Sequence, residues 1–287
     1  GMDMVMLTDR YKEFITMLQE LVEEGKVPIS RIDDAVTRIL RVKFAMGLMD
    51  AEPDLWPNKE LQPEFGSEAH RKVARQAVAE SVVLLKNANA VLPVKSLPRR
   101  IHVAGSGADD LGMQCGGWTI GWQGERGDLT PGGTTILDAL KEVAGNTTEV
   151  SFTVDGSQSD GADLGIVVVG EGPYAEMKGD RYDLALSPED IAAVAALKAA
   201  GLPVVVVVLS GRPMILGELA DTADAILAAW LPGTEGAGVV DVLTGAVPPT
   251  GKLSFAWPRS MDQVPLGHKQ ETVENPFYPL GFGLGYE

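Results

Sequence analysis

The chain has 287 residues, 45% of them hydrophobic and 22% charged, enough apolar material for one large core or two modest ones. Forty acidic against 24 basic residues give a formal net charge of −16, which repels phosphate backbones and anionic lipid surfaces, so neither nucleic acid nor a membrane is an expected partner. One cysteine, Cys115, and three histidines, His70, His102 and His268, leave no internal disulfide and no CxxC or HExxH spacing for a metal, and no cofactor is expected.

Gly1 to Leu7 reads as a strand-like apolar segment with no turn or cap before it, the pattern of a chain that opens inside a core. From Tyr11 to Lys26, Phe14, Ile15, Leu18, Leu21 and Val22 recur at three- and four-residue intervals and predict an amphipathic helix stopped by Gly25. A second helix is expected to begin at Pro28 or at Ser30, with Asp33 three residues on, and to bury Ile32, Val36, Ile39, Leu40, Val42 and Phe44 before Gly47. Prolines at 53, 57 and 63 mark residues 50–66 as a surface linker. A long helix is then predicted from Ser67 to Lys86, with Val73, Ala77, Val78 and Val82 inward.

Strands and helices alternate from there: strand Ile101 to Gly105, helix Thr134 to Ala144, strands Glu149 to Val154 and Leu164 to Val169, helix Pro188 to Ala200, strands Val204 to Leu209 and Ala225 to Trp230, helix Gly236 to Leu243. This order predicts an α/β fold, a mostly parallel sheet with helices on both faces. A last strand is expected at Lys252 to Trp257, ahead of an irregular tail holding Pro258, Pro265, Pro276 and Pro279. Apolar runs such as Val204 to Leu209 are far shorter than the roughly 20 residues that cross a bilayer as a helix.

In such a sheet, groups just past the carboxyl ends of strands face ligands, and Glu171 follows the β-branched run Gly165 to Gly170 directly. Partial burial beside Val169 and Tyr174 would raise a carboxylic acid above the free value of about 4.3 and suit it to donate a proton near neutral pH; the plainer alternative is that Glu171 caps a backbone amide in the turn. Trp118 and Trp122 lie in a glycine-rich loop, Cys115 to Glu125. Flat aromatic faces there bind sugar rings, or one indole, Trp122 more readily than Trp118, fills a gap under the loop.

Gly105 to Asp110 lacks the third glycine of a dinucleotide fingerprint and reads as a tight turn ending in an Asp helix cap, although a nucleotide-binding doubly wound domain stays open. Ser210-Gly211-Arg212-Pro213 reads as a strand-end turn with a structural arginine, Cys115 as packing, and Tyr174 to Asp183 as a solvated charged loop.

At Val167-Val-Val-Gly-Glu-Gly-Pro-Tyr-Ala-Glu-Met-Lys-Gly-Asp180 and Gln114-Cys-Gly-Gly-Trp-Thr-Ile-Gly-Trp-Gln-Gly124 the chain resembles glycoside hydrolase family 3, in particular its β-D-glucan exohydrolases. Further similar segments, in the family's order, are Ile32 to Phe44, Ser81 to Asn87 and Ala228 to Gly236. The resemblance implies a remnant of a TIM-type barrel over residues 1–49, a linker over 50–66, an α/β sandwich domain over 67–260 and a tail over 261–287. It implies that Glu171 is the general acid/base, that Trp118 is one side of an aromatic clamp on the sugar, and that the substrate is a β-glucoside or β-glucan oligosaccharide.

The family's nucleophilic aspartate sits in a Ser-Asp-Trp-type motif on a barrel strand, and no such motif occurs in these 287 residues. The expected partner is therefore an N-terminal barrel segment, without which the chain would not hydrolyse glycosides. A non-catalytic carbohydrate-binding or interaction module is the alternative. The Glu171 motif argues against the relatives that cleave N-acetylglucosaminides with an Asp/His pair, and the resemblance favours a secreted or periplasmic setting.

Overall fold

The computed structural model describes residues 1–53, 55–266 and 273–286, so His268 and part of the expected tail lie outside the described residues. The chain divides into two compact units, Gly1–Phe65 and Gly66–Glu287. None of the described helices is long and apolar enough to cross a membrane.

The first unit holds α1 (Tyr11–Glu23) and α2 (Ile29–Ala45). Residues 1–10 form no strand, contrary to the expectation for Gly1 to Leu7. Pro28 is the N-cap of α2, and the fixed φ of the proline sets the entry angle, so Ser30 lies inside the helix and caps nothing. The predicted apolar stripes are present, yet neither helix buries a single residue: Ile15, Val36, Val42 and Phe44 are all exposed.

In the second unit the chain runs α3 (Glu68–Ser81), β1 (Val83–Asn87), β2 (Arg100–Ala104), α4 (Leu111–Cys115), α5 (Ile136–Ala144), β3 (Glu149–Phe152) and β4 (Leu164–Gly170). It continues with α6 (Pro188–Ala199), β5 (Val204–Leu209), α7 (Leu219–Thr222), β6 (Ala225–Trp230) and α8 (Gly236–Thr244). The six strands form one sheet in the order β1-β6-β5-β4-β2-β3. Every neighbouring pair is parallel except β1 with β6. The expected α/β architecture is therefore the observed one.

Two predicted elements are corrected. The helix expected from Ser67 to Lys86 stops at Ser81, and Val83 to Asn87 form β1, with Val83 opposite Ala228. Val82-Val83-Leu84-Leu85 is apolar at every position, which one helix face cannot bury but a strand covered on both sides can. Val73, expected inward, is exposed. The strand expected at Lys252 to Trp257 does not form; this segment meets the tail through scattered bonds, Leu253 N–H to Phe282 O and Trp257 N–H to Tyr278 O, both 2.8 Å.

Strand periodicity explains the two cores. Val205, Val207 and Leu209 of β5 face a layer containing Leu137 and Leu140 of α5 and Val239 and Val240 of α8. Val204, Val206 and Val208 face Val194 and Leu197 of α6 and Leu219 of α7. Helix starts are fixed by side chains, Ser67, Asp110, Thr135 and Ser187 each accepting a bond from the N–H three residues on.

His102 on β2 is wholly buried between two hydroxyls, with Nδ1 2.8 Å from Ser151 Oγ and Nε2 2.9 Å from Thr153 Oγ1. Thr153 gives its one proton to Ser157 O at 2.6 Å, so Nε2 donates to Thr153 and Nδ1 accepts from Ser151. Burial holds this imidazole below its ordinary 6.5, partly opposed by Asp155. The unfolded chain then binds the proton more tightly, and stability is lost as the pH falls through 6.5 towards the folded value. Urea midpoints measured from about pH 7.5 to 5.5 are expected to fall more steeply for the natural chain than for His102→Gln. Parallel pH profiles would refute this.

Candidate active site

β4 ends on Gly170, where a Cβ would lie 1.8 Å from the carbonyl oxygen of Leu209, so only glycine lets the two strands approach this closely. Asp190, buried at the start of α6, accepts from Gly170 N–H and Ser106 Oγ, both 3.2 Å, and ties the ends of β4 and β2 together. Glu171 follows, its N–H still bonded to Leu209 O at 3.0 Å, so its side chain leaves the sheet from a fixed root at the carboxyl end of a central strand.

The Glu171 side chain is only 4% exposed, and among the described residues its partners are other side chains rather than a backbone amide. Arg212 Nη2 donates to Oε1 at 2.7 Å, and Arg212 Nε lies 3.2 Å from each oxygen. Arg181 Nη1 donates to Oε1 at 3.1 Å and Tyr174 Oη to Oε2 at 3.2 Å. Oε1 thus carries the closest guanidinium contacts, and Oε2 shares Nε with its twin and otherwise meets the phenol. Burial and the neighbouring carboxylate push Tyr174 up to about 12, so its hydroxyl stays a donor at neutral pH.

Arg212 comes from the turn after β5, held by Ser210 N–H to Trp230 O at 3.1 Å and Ser210 Oγ to Arg212 O at 2.7 Å. Its guanidinium also donates to Gly179 O at 2.7 Å and lies 4.6 Å from the Tyr174 ring centre. The expected turn is present, but Arg212 belongs to the carboxylate's surroundings. Arg181 corrects the reading of Tyr174 to Asp183 as merely a solvated face.

A cavity of about 200 Å3 is lined by Glu171, Tyr174, Ser210 and Gly211 together with Gly116 and Gly117 of the tryptophan loop. That loop is seated closely: a Cβ on Gly117 would lie 2.0 Å from Tyr174 O, and Ala175 N–H donates to Gln123 Oε1 at 3.0 Å. Trp118 has a left-handed φ of 63°, uncommon for a bulky residue, and Trp118 N–H bonds Trp122 O at 2.9 Å. The two indoles stand 6.3 Å apart and are both exposed, 68% and 46%, so neither fills a gap beneath the loop. Glu171 and the loop's glycines therefore meet in one cavity, while the Trp118 ring stands outside its lining.

Two other candidates have structural duties. Asp110 caps α4 through Met113 N–H at 2.8 Å and pairs with Arg126 at 2.9 Å, as a turn with an Asp cap requires. Cys115 is half-buried beside Thr130, and burial raises its thiol, which does not make a nucleophile.

The glycosyl hydrolase family 3 C-terminal domain matches residues 82–286. The lysosomal beta glucosidase of Dictyostelium discoideum is 34% identical over 95% of this chain and 36% of its own length. The periplasmic beta-glucosidase of Salmonella typhimurium is 29% identical over the whole chain and 44% of its own. Among solved structures, the exo-1,3/1,4-beta-glucanase ExoP of a Pseudoalteromonas species superposes with a TM-score of 0.88 and 39% identity, over 100% of this chain and 37% of that one. A beta-glucosidase of Listeria innocua in complex with glucose gives 0.82 and 28%, over 100% and 42%. The chain spans less than half the length of each. With this match over most of its length, the chain belongs to glycosyl hydrolase family 3 and carries that family's C-terminal domain.

Proposed function

We propose that the chain is the C-terminal part of a retaining, exo-acting β-glucosidase or β-glucan exohydrolase and that Glu171 is its general acid/base. The observation that carries the reading is the buried carboxylate rooted at the end of β4, in one cavity with the glycines of the Trp118 loop. In the first step Glu171 gives a proton to the glycosidic oxygen as the C–O bond breaks and an attacking carboxylate bonds the anomeric carbon. In the second, Glu171 takes a proton from water, whose oxygen displaces that carboxylate. Two such groups stand about 5 to 5.5 Å apart in retaining enzymes, and the attacking one belongs to barrel polypeptide outside these residues.

Arg212 holds Oε1, and Tyr174 is placed to keep Oε2 oriented. Trp118 stacks on the glucosyl ring. The apolar stripes of α1 and α2, with no residue buried, support a covering partner polypeptide, which we assign to the rest of the barrel. The isolated chain is expected to leave an aryl β-glucoside uncleaved. Turnover that disappears on Glu171→Gln would put the attacking group within these residues and overturn the division of labour.

The exposed pair Trp118 and Trp122 also favours a second reading, a carbohydrate-binding module without catalysis. Calorimetry with glucose and short β-glucans distinguishes it, since weak binding abolished by Trp118→Ala together with full activity of a Glu171→Gln holoenzyme is expected of the module alone.

A further inference from the structure

Arg181, Arg212 and Gly211 also line a second, larger cavity in the same unit, of about 650 Å3. Small-ligand sites typically enclose about 300–1,000 Å3, mostly apolar with a few convergent polar groups. Here the apolar wall includes Leu184, Pro213, Trp230 and Phe255, and the polar groups are Asp180 and Ser254.

Charge and chemistry narrow the ligand. Arg212 is engaged through Nε and Nη2 by Glu171 and through Nη1 by Gly179 O, and Arg181 by Glu171 and Ala185 O. These two cations are balanced by Glu171 and Asp180, which favours a neutral ligand over an anion. A bare sugar, with hydroxyls on every side, would leave most of them unpaired against Leu184, Pro213 and Phe255. A flat apolar ring with one polar edge suits this lining.

Trp230 is the second observation. It ends β6 with a left-handed φ of 54°, and its indole N–H donates to Ser81 O at 3.1 Å while the ring packs 6.1 Å from that of Trp257. A bulky residue held there is over-determined by its surroundings, and such positions cluster at ligand sites.

We infer that this cavity binds a neutral aromatic ring carrying one oxygen, a phenol either free or as the aglycone of an aryl β-glucoside. The ring lies against Trp230 and Phe255, and the hydroxyl of a free phenol donates to Asp180 or accepts from Ser254, whereas a glycosidic oxygen, which has no proton, can only accept. Ring binding stands on the cavity alone; the aglycone assignment rests on the glycosidase reading above.

Titrating the full chain with phenol, phenyl β-D-glucopyranoside and methyl β-D-glucopyranoside, by calorimetry and indole fluorescence, tests it. Phenol and the phenyl glucoside are expected to saturate in the millimolar range. Phe255→Ala, at a half-exposed position, and Ser254→Trp, which fills the cavity, should each weaken phenol by about tenfold or more, whereas Trp118→Ala should not. Unfolding midpoints identify any variant that fails to fold, in which case the other decides. No saturable phenol binding up to about 50 mM, binding that survives every folded cavity variant, or binding lost on Trp118→Ala overturns the site. Phenol binding without phenyl glucoside binding upholds the ring site and overturns the aglycone assignment, leaving the role of Glu171 untouched.

Discussion

Replacing Arg212 with methionine is expected to destabilise the sheet domain by about 2–3 kcal/mol, the largest effect of any single side chain around the cavity. Removing one partner of a buried ion pair typically costs about 3–5 kcal/mol, and the loss falls towards or below the bottom of that range here because the Arg212 side chain is 25% exposed and Arg181 still pairs with Glu171. Lost with it are the bond to Gly179 O and the contact with the Tyr174 ring. For a domain of this size the shift in Tm is roughly 5–10 °C. Arg212→Met combined with Glu171→Gln should recover about half of the loss, because no anion is then left buried. A single-variant change under about 0.5 kcal/mol, or a double variant no more stable than Arg212→Met, would show that the pairing contributes little.

The second large effect concerns rate. In the holoenzyme, Glu171→Gln keeps the side chain's size and its acceptor oxygen but cannot give up a proton, and the expected loss in kcat/KM is about 10² to 10⁴ for substrates with poor leaving groups. An aryl glucoside with an acidic phenol needs little protonation and should be affected far less in glycosylation. The slope of log(kcat/KM) against leaving-group acidity therefore steepens in the variant. A uniform loss across leaving groups would assign Glu171 to substrate positioning rather than proton transfer.

Much of the sheet is legible because its strands are written locally. Val204 to Leu209 is a β-branched run that matches β5 residue for residue, and Ala225 to Trp230 matches β6 equally well. β1 is less legible, because no glycine or proline separates it from α3, although four apolar residues in a row, Val82 to Leu85, break the helical period. Only antiparallel pairing with β6 settles the conformation there. Likewise the exposure of Val36 and Phe44 in α2 follows from what covers a helix, not from its own periodicity.

The site divides in the same way. A carboxylate after a buried strand is visible from the position of Glu171 alone, and so is a glycine-rich loop presenting Trp118. The clamp on Glu171 is not, since Arg212 lies 41 residues further along and reaches it only because β4 and β5 are neighbours. Spacing in the chain carries no trace of that meeting, although an arginine just past a neighbouring strand is a usable hint. Packing is a natural reading of Trp122 because large aromatics are usually buried, whereas the loop's left-handed residues turn both indoles outward.

The position of β1 at the sheet margin bears on how the protein is made. Within this sheet it is the first strand to leave the ribosome, and its pairing partner follows roughly 140 residues later, on the order of ten seconds at ordinary elongation rates. Its other side is met by Leu284, whose N–H bonds Leu84 O at 2.9 Å and which lies further along the chain than β6. During that interval Val83, Leu84 and Leu85 form a sticky, unsatisfied ribbon, the kind of nascent segment that chaperones hold. Native assembly of this domain therefore waits until β6 and the Leu284 segment have emerged, and ribosome-bound chains halted before Ala225 should remain protease-sensitive throughout the sheet.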